Sequence, residues 1–285
     1  MIDYKALLAI AALTVATPVS AQGAGTPITI GESHLLTFDD EPVARHINVF
    51  IPPEYRESEQ SFPVLYLIDG SLDQDFLHVS GTVALNAMWG RSQPAIVVGI
   101  STRDRRAELI GTAGNAEERE AFPTAGNSAS FRAFIRDEVK PLIEATYRTN
   151  GTDAVLGESL AGLFIVETWL TEPALFDGYG AVNPSLWWEG QALARSAANT
   201  LADGGTRGRL LVSYSNEGPE TQEAVEMVAV AAGESACLLA TPDLTHATAY
   251  HILTPAVLQY LLPTGYDFNP EWDFNVPCAH EEGAQ

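Results

Sequence analysis

Ser159 stands in the run Thr152-Asp153-Ala154-Val155-Leu156-Gly157-Glu158-Ser159-Leu160-Ala161-Gly162-Leu163-Phe164-Ile165-Val166. The run reads as a short buried strand, a hard turn from Gly157 to Ala161, and an apolar helix. A hydroxyl on such a turn can attack a carbonyl carbon. Small residues on both sides of it are what the turn needs, because larger side chains would collide with the strand and the helix. The helix that follows aims its N-terminal N–H groups at the reacting centre. The plain alternative is a tight turn whose serine only caps the helix. The apolar strand before Ser159 and the apolar helix after it favour the nucleophile.

A sheet has to hold that turn. Pro63-Val64-Leu65-Tyr66-Leu67-Ile68 and Ala95-Ile96-Val97-Val98-Gly99-Ile100 are continuous apolar runs without alternation, the mark of strands buried on both faces. Thr29-Ile30 and Ile47 to Ile51 have strand composition, and Pro52-Pro53 ends the second. Tyr179 to Val182, Arg209 to Tyr214 and Ala236 to Ala240 read as further strands. Helices are predicted near Gln74 to Ala87, from Phe131 to Tyr147 on an apolar face of helical spacing, and from Gln222 to Ala232. Ala107 to Asn127 has no period and is predicted to be a loop or partial cap over the site. Strands alternating with helices imply an α/β fold, with a mainly parallel sheet covered by helices on both faces.

The chain has 285 residues and a formal net charge of −22. That charge argues against nucleic-acid binding and disfavours anionic membranes. Residues 1–21 read as an export signal: Lys5 in a short n-region, the apolar run Ala6 to Val19, then Val19-Ser20-Ala21 with small residues at the cleavage positions. Asp3 fits the n-region poorly. The apolar run is too short to span a bilayer, so no membrane anchor is expected after cleavage. Residues 22–285 are expected to form a single catalytic domain, exported to a periplasmic or secreted location. Cys237 and Cys278 are an even pair in what would be an oxidising compartment, and a bridge between them is expected. No His or Cys pair has metal-ligand spacing, so neither metal nor cofactor is expected.

A serine needs a base, and the base an orienting carboxylate. The Ser159 turn resembles the G-x-S-x-G turn of the α/β-hydrolases, where the acid follows in chain order and the histidine comes last. Asn216-Glu217-Gly218 follows the strand ending at Tyr214-Ser215, and Asp243-Leu244-Thr245-His246 follows the last strand. His246 is therefore the expected base, with His251 its rival, and Glu217 the expected acid, with Glu220 and Asp243 close in sequence. The oxyanion hole needs two N–H groups. Leu160 is expected to give one, and Gly70 or Ser71, in the loop after Ile68, the other.

The segments Val64 to Gly70, Val97 to Ile100, Gly157 to Phe164, Asn183-Pro184-Ser185-Leu186-Trp187-Trp188 and Asn216-Glu217-Gly218 together resemble the esterase D-like branch of the α/β-hydrolases. That family includes catecholate-siderophore esterases and S-formylglutathione hydrolase. The resemblance spans about residues 27 to 262. It implies Ser159 and His246 as catalytic and Glu217 as the acid, the least essential of the three. Ala161, where many members have Gly, is a departure small enough to keep the turn.

Trp187 and Trp188 are candidate walls of a substrate pocket, with core packing the alternative for one of them. The Arg103 to Arg106 cluster, Arg103 first, is a candidate for an anionic substrate group; surface ion pairs are the plainer use. The expected function is cleavage of a small-molecule carboxylic ester through an acyl-enzyme. Acyl transfer on the same fold, or an inactive binding protein, are the alternatives. No motif names the ester or the oligomeric state.

Overall fold

The computed structural model describes residues 26–38, 41–202, 204 and 207–279, so the signal-like segment 1–21 and His280 lie outside the described residues. Eight strands form one sheet: β1 Gly31–Phe38, β2 Glu41–Phe50, β3 Phe62–Ile68, β4 Ile96–Ile100, β5 Thr149–Glu158, β6 Gly178–Val182, β7 Arg209–Tyr214 and β8 Ala236–Ala240. Their order is β1-β2-β4-β3-β5-β6-β7-β8. The β1–β2 and β2–β4 pairs are antiparallel, and every pair from β4 to β8 is parallel. Parallel strands need crossovers, and helices supply them.

The helices are α1 Pro53–Glu57, α2 Phe76–Met88, α3 Arg105–Leu109, α4 Ala116–Ala121, α5 Ser128–Phe134, α6 Lys140–Thr146, α7 Leu160–Thr171, α8 Trp188–Leu201, α9 Pro219–Ala232 and α10 His246–Leu261. All residues of β3, β4 and β6 are buried. Alternate β3 residues face opposite layers: Val64, Tyr66 and Ile68 meet α7 residues such as Phe164, while Leu65 and Leu67 meet α2 and α10 through Val79, Val83 and Leu253. Each such side chain removed from water contributes roughly 1.5–3 kcal/mol. That two-sided burial explains the unbroken apolar runs.

Three expectations need correction. Thr29-Ile30 lies in irregular chain, and the edge strand is β1 beyond it. The predicted loop of residues 107–127 contains α4 and most of α3. The predicted single helix from Phe131 to Tyr147 is α5 and α6 joined by a π-helical turn, Ile135–Val139. Pro141, just inside α6, has no N–H to give and crowds the preceding turn, which the wider π turn accommodates.

Cys237, in β8, is bonded to Cys278, with Cα atoms 4.9 Å apart. The Ala279 N–H donates to the Leu238 carbonyl at 2.8 Å, so the segment lies along β8. Among the described residues no helix is long and apolar enough to cross a membrane.

Candidate active site

Strand β5 delivers Ser159 to the C-terminal edge of the sheet. Its backbone sits at φ 62°, ψ −119°, a conformation costly for a side-chain-bearing residue. The Ser159 N–H donates to the Val182 carbonyl and its own carbonyl accepts from the Ser185 N–H, each at 3.0 Å. These bonds hold the strained residue between β5 and the loop after β6. A Cβ on Gly157 would stand 2.7 Å from that of Ala161. The turn thus tolerates alanine at 161 because glycine occupies 157. The Ser159 hydroxyl lies 3.3 Å from that of Ser185.

Two loops bring the remaining partners together. The Asn216 N–H donates to the Leu244 carbonyl at 2.8 Å, and the Thr241 N–H to the Tyr214 carbonyl at 3.0 Å. The loop after β7 is thereby stitched to the loop after β8. Glu217 Oε1 lies 2.7 Å from His246 Nδ1. The contact is short but bent, with the carboxylate off the line of the ring N–H. Glu217 Oε2 accepts from the Ser215 hydroxyl at 3.3 Å, and Ser215 Oγ accepts from Asn183 Nδ2 at 2.6 Å. Asn183 is bound in turn by Ser213 at 3.0 Å through both its N–H and its Oδ1. This buried polar chain fixes the carboxylate from behind. Glu220 and Asp243 do not line the pocket, and His251 lies on α10 against His78, ring centroids 4.6 Å apart.

Ser159, Leu160, Ser185, Glu217 and His246 line a pocket of about 370 Å³ with Arg105, Arg106, Phe122 and Trp187. Trp187 is a wall of that pocket and 38% exposed, whereas Trp188 is buried and meets Phe122 edge-on at 5.2 Å. Trp188 faces the adjoining cavity with Leu163 and Leu193 instead.

The basic cluster contributes differently from expectation. Arg103 does not line the pocket; its backbone N–H donates to Glu108 at 3.0 Å. Asp104 caps α3 by accepting from the Arg106 and Ala107 N–H groups, and the resulting turn directs Arg105 and Arg106 to the site. Buried Arg45 clamps α3 through Glu108, at 2.6 and 3.0 Å. Arg105 Nε donates to Asp69 Oδ2 at 2.5 Å, and Arg106 lies over the Phe122 ring at 4.9 Å. Asp69 also accepts from Thr102 at 2.8 Å, which fixes the loop after β3.

On that loop the Gly70 N–H is already donated to the Ile100 carbonyl at 3.0 Å. Gly70 is therefore withdrawn as an oxyanion donor. Ser71 is the other residue of the loop expected to donate, and Leu160, as the first residue of α7, has no helical acceptor for its N–H.

The protonation equilibria are displaced. The Glu217 carboxylate held against Nδ1 raises the His246 pKa, with burial opposing, the charge of Glu158 adding, and Arg105 subtracting. Glu158, beside Ser159, is pushed up to about 7, chiefly by burial; Asp75 and Glu217 add to this, and His246 and Arg105 oppose it. Its Oε1 is buried without a hydrogen-bond partner. The motif segments contain Glu158 and Ser185 without giving either a role, and Phe122 lies in none of them, because their neighbours come from distant segments.

Residues 42–241 match a family model described as "Putative esterase". The chain is 28% identical over 187 residues to the ferri-bacillibactin esterase BesA of Bacillus subtilis, covering 58% of this chain and 63% of that protein. Among solved structures, the siderophore hydrolase EstB of Aspergillus nidulans superposes with a TM-score of 0.70 at 17% identity, covering 87% of this chain and all of that one (100%). An IroE-like serine hydrolase of Shewanella oneidensis superposes with a TM-score of 0.68 at 23% identity, covering 81% and 80%. The solved structures share the fold, and the sequence match carries the family. The chain belongs to the "Putative esterase" family of the α/β-hydrolase superfamily.

Proposed function

We propose that the protein is a serine hydrolase that cleaves carboxylic esters through an acyl-enzyme. The observation that carries this reading is the meeting of Ser159, His246 and Glu217 in one pocket, with Glu217 2.7 Å from His246 Nδ1. Ser159 attacks the ester carbonyl as His246 takes its proton. The N–H groups of Leu160 and Ser71 receive the developing oxyanion. His246 then protonates the leaving alcohol, and the acyl-enzyme is released by water that His246 activates. Glu217 orients the ring and stabilises the imidazolium. The His246 side chain is 42% exposed, which favours water over an acceptor alcohol in the second step, hence hydrolysis over acyl transfer.

The relatives named as siderophore esterases support an ester of that class. Arg105 and Arg106 favour an anionic group on the substrate, and Trp187 with Phe122 an aromatic one. The signal-like segment and the Cys237–Cys278 bond support an exported protein whose residues 22–285 form one catalytic domain. A turnover screen on graded p-nitrophenyl esters and on ferric and iron-free catecholate triesters, with Ser159→Ala as blank, tests the reading. Hydrolysis abolished in the blank is the expected result; no turnover on any ester overturns it.

A further inference from the structure

Ser185 lines the pocket, yet it takes no part in the steps proposed for Ser159, His246 and Glu217. It stands in the loop after β6, and that loop is held firmly. Asn183, buried and left-handed at φ 44°, is bound by Ser213 at 3.0 Å through both its N–H and its Oδ1. A Cβ on Gly162 would stand 2.9 Å from the Pro184 Cα. Glycine at 162 therefore lets the loop press against the first turn of α7. The Ser185 N–H then donates to the Ser159 carbonyl at 3.0 Å. The result is a hydroxyl fixed 3.3 Å from that of Ser159, on a residue only 4% exposed.

A buried hydroxyl needs a partner, and 3.3 Å between two neutral hydroxyls is a weak bond. Either oxygen can donate while Ser159 keeps its proton. That symmetry ends when His246 takes the proton. Ser159 Oγ then has no hydrogen to give, and Ser185 has one. A hydrogen bond to an oxygen gaining negative charge shortens and becomes roughly twice as strong. The contact is therefore worth more in the transition state than in the resting enzyme, which is the condition for speeding a step rather than tightening binding. Catalytic hydrogen bonds are often long before substrate arrives.

We infer that Ser185 is a further catalytic residue, whose hydroxyl donates to Ser159 Oγ while that oxygen attacks and while it leaves. The inference rests on Ser159 as the nucleophile. In acylation the Ser159 O–H bond breaks to His246 as the bond from Oγ to the carbonyl carbon forms. In deacylation that bond breaks, and His246 returns to Oγ the proton it has taken from water. Ser185 keeps its own proton in both steps. Its task differs from that of the Leu160 and Ser71 N–H groups, which are aimed at the carbonyl oxygen. The loop after β6 thus braces the acid through Asn183 and Ser215, and the nucleophile through Ser185.

The test compares the full-length wild type with Ser185→Ala, Ser185→Cys and Ser159→Ala on p-nitrophenyl acetate and ethyl acetate. The bond from the Ser185 N–H to the Ser159 carbonyl is a backbone bond and survives either substitution at 185. Ser185→Ala is expected to lower kcat by about 10- to 100-fold on both esters, the range for a lost hydrogen bond to a charged group. Ser185→Cys, close in size but a weak donor, should fall likewise. KM and the acidic limb of the pH profile should hardly move, since neither the walls of the pocket nor His246 is altered. Fluorophosphonate adduct formation should slow in parallel. Circular dichroism and thermal melting establish that each variant is folded; a merely structural hydroxyl would lower the melting temperature and leave kcat in place. A folded Ser185→Ala or Ser185→Cys with kcat within about twofold of wild type overturns the inference. So does a loss confined to KM, or one confined to ethyl acetate, which would put the hydroxyl at the leaving alcohol instead. Turnover surviving in Ser159→Ala overturns the nucleophile itself, and this inference with it.

Discussion

Glu217 divides its two oxygens between His246 Nδ1, at 2.7 Å, and the Ser215 hydroxyl, at 3.3 Å. One oxygen acts on the ring and the other is held by the buried Asn183–Ser215 chain. A carboxylate fixed in this way orients the imidazole without taking its proton.

The relationship orders the mutational effects. Ser159→Ala and His246→Ala should each lower kcat by about 10⁴-fold or more, by comparison with other triad knockouts. Glu217→Gln should cost less, since the attacking pair remains. His251→Ala, Glu220→Gln and Asp243→Asn should be mild. Steady-state kinetics on a reactive ester decide the order, and a crippled Asp243→Asn beside an active Glu217→Gln would move the acid elsewhere.

Ionisation gives a second test. The base must be neutral to accept the serine proton, and Glu217 raises its pKa. The acidic limb of kcat/KM should therefore lie above the ordinary histidine value of about 6.5. Glu217→Gln should move that limb to lower pH while lowering the plateau. Glu158→Gln should move it in the same direction by less, with the plateau largely kept. His246 is bound more tightly as the imidazolium, so that contribution to stability is complete below about pH 6.5 and is lost as pH rises through the raised folded value.

Glu158 gives the opposite check. Its folded pKa, about 7, lies above the ordinary carboxyl value, so the protein loses stability as pH rises between the two. Glu158→Gln removes the penalty. The variant should gain on wild type above pH 7, on the order of 1 kcal/mol after solvent screening, and the gain should vanish near pH 4. Chemical denaturation at the two pH values measures it.

Much of this was legible in the sequence, and the reason is physical. Strands β3 and β4 are buried on both faces and must be apolar throughout. The Ser159 turn is crowded and must be small. His246 and Glu217 follow from strand order, because the C-terminal edge is where the loops converge. What escaped depends on individual bonds. The choice between Gly70 and Ser71 turns on a single N–H donated to Ile100. The replacement of Arg103 by Arg105 and Arg106 rests on α3, five residues long and too short to show a period. Strand β1 is an edge strand whose pattern is set by one neighbour alone. Glu158 owes its environment to Asp75, Arg105, Glu217 and His246, which sequence spacing does not bring together.

The Cys237–Cys278 bond closes a separation of 41 residues, for which chain entropy gives about 4 kcal/mol at most. Reduction should lower the melting temperature by several degrees and leave room-temperature turnover nearly intact, since neither cysteine lines the pocket. Intact mass of exported protein, with and without reductant and alkylation, should give one bridge and a chain beginning at Gln22. Two free thiols, or a retained Met1, would contradict the proposed export.

The proposed nucleophile, Ser159, is tested most directly by a fluorophosphonate probe. One covalent adduct per chain is expected, located by peptide mass spectrometry on Ser159, absent from Ser159→Ala and formed far more slowly by His246→Ala. An unlabelled wild type, or an adduct at another residue while Ser159→Ala still hydrolyses ester, would contradict the assignment.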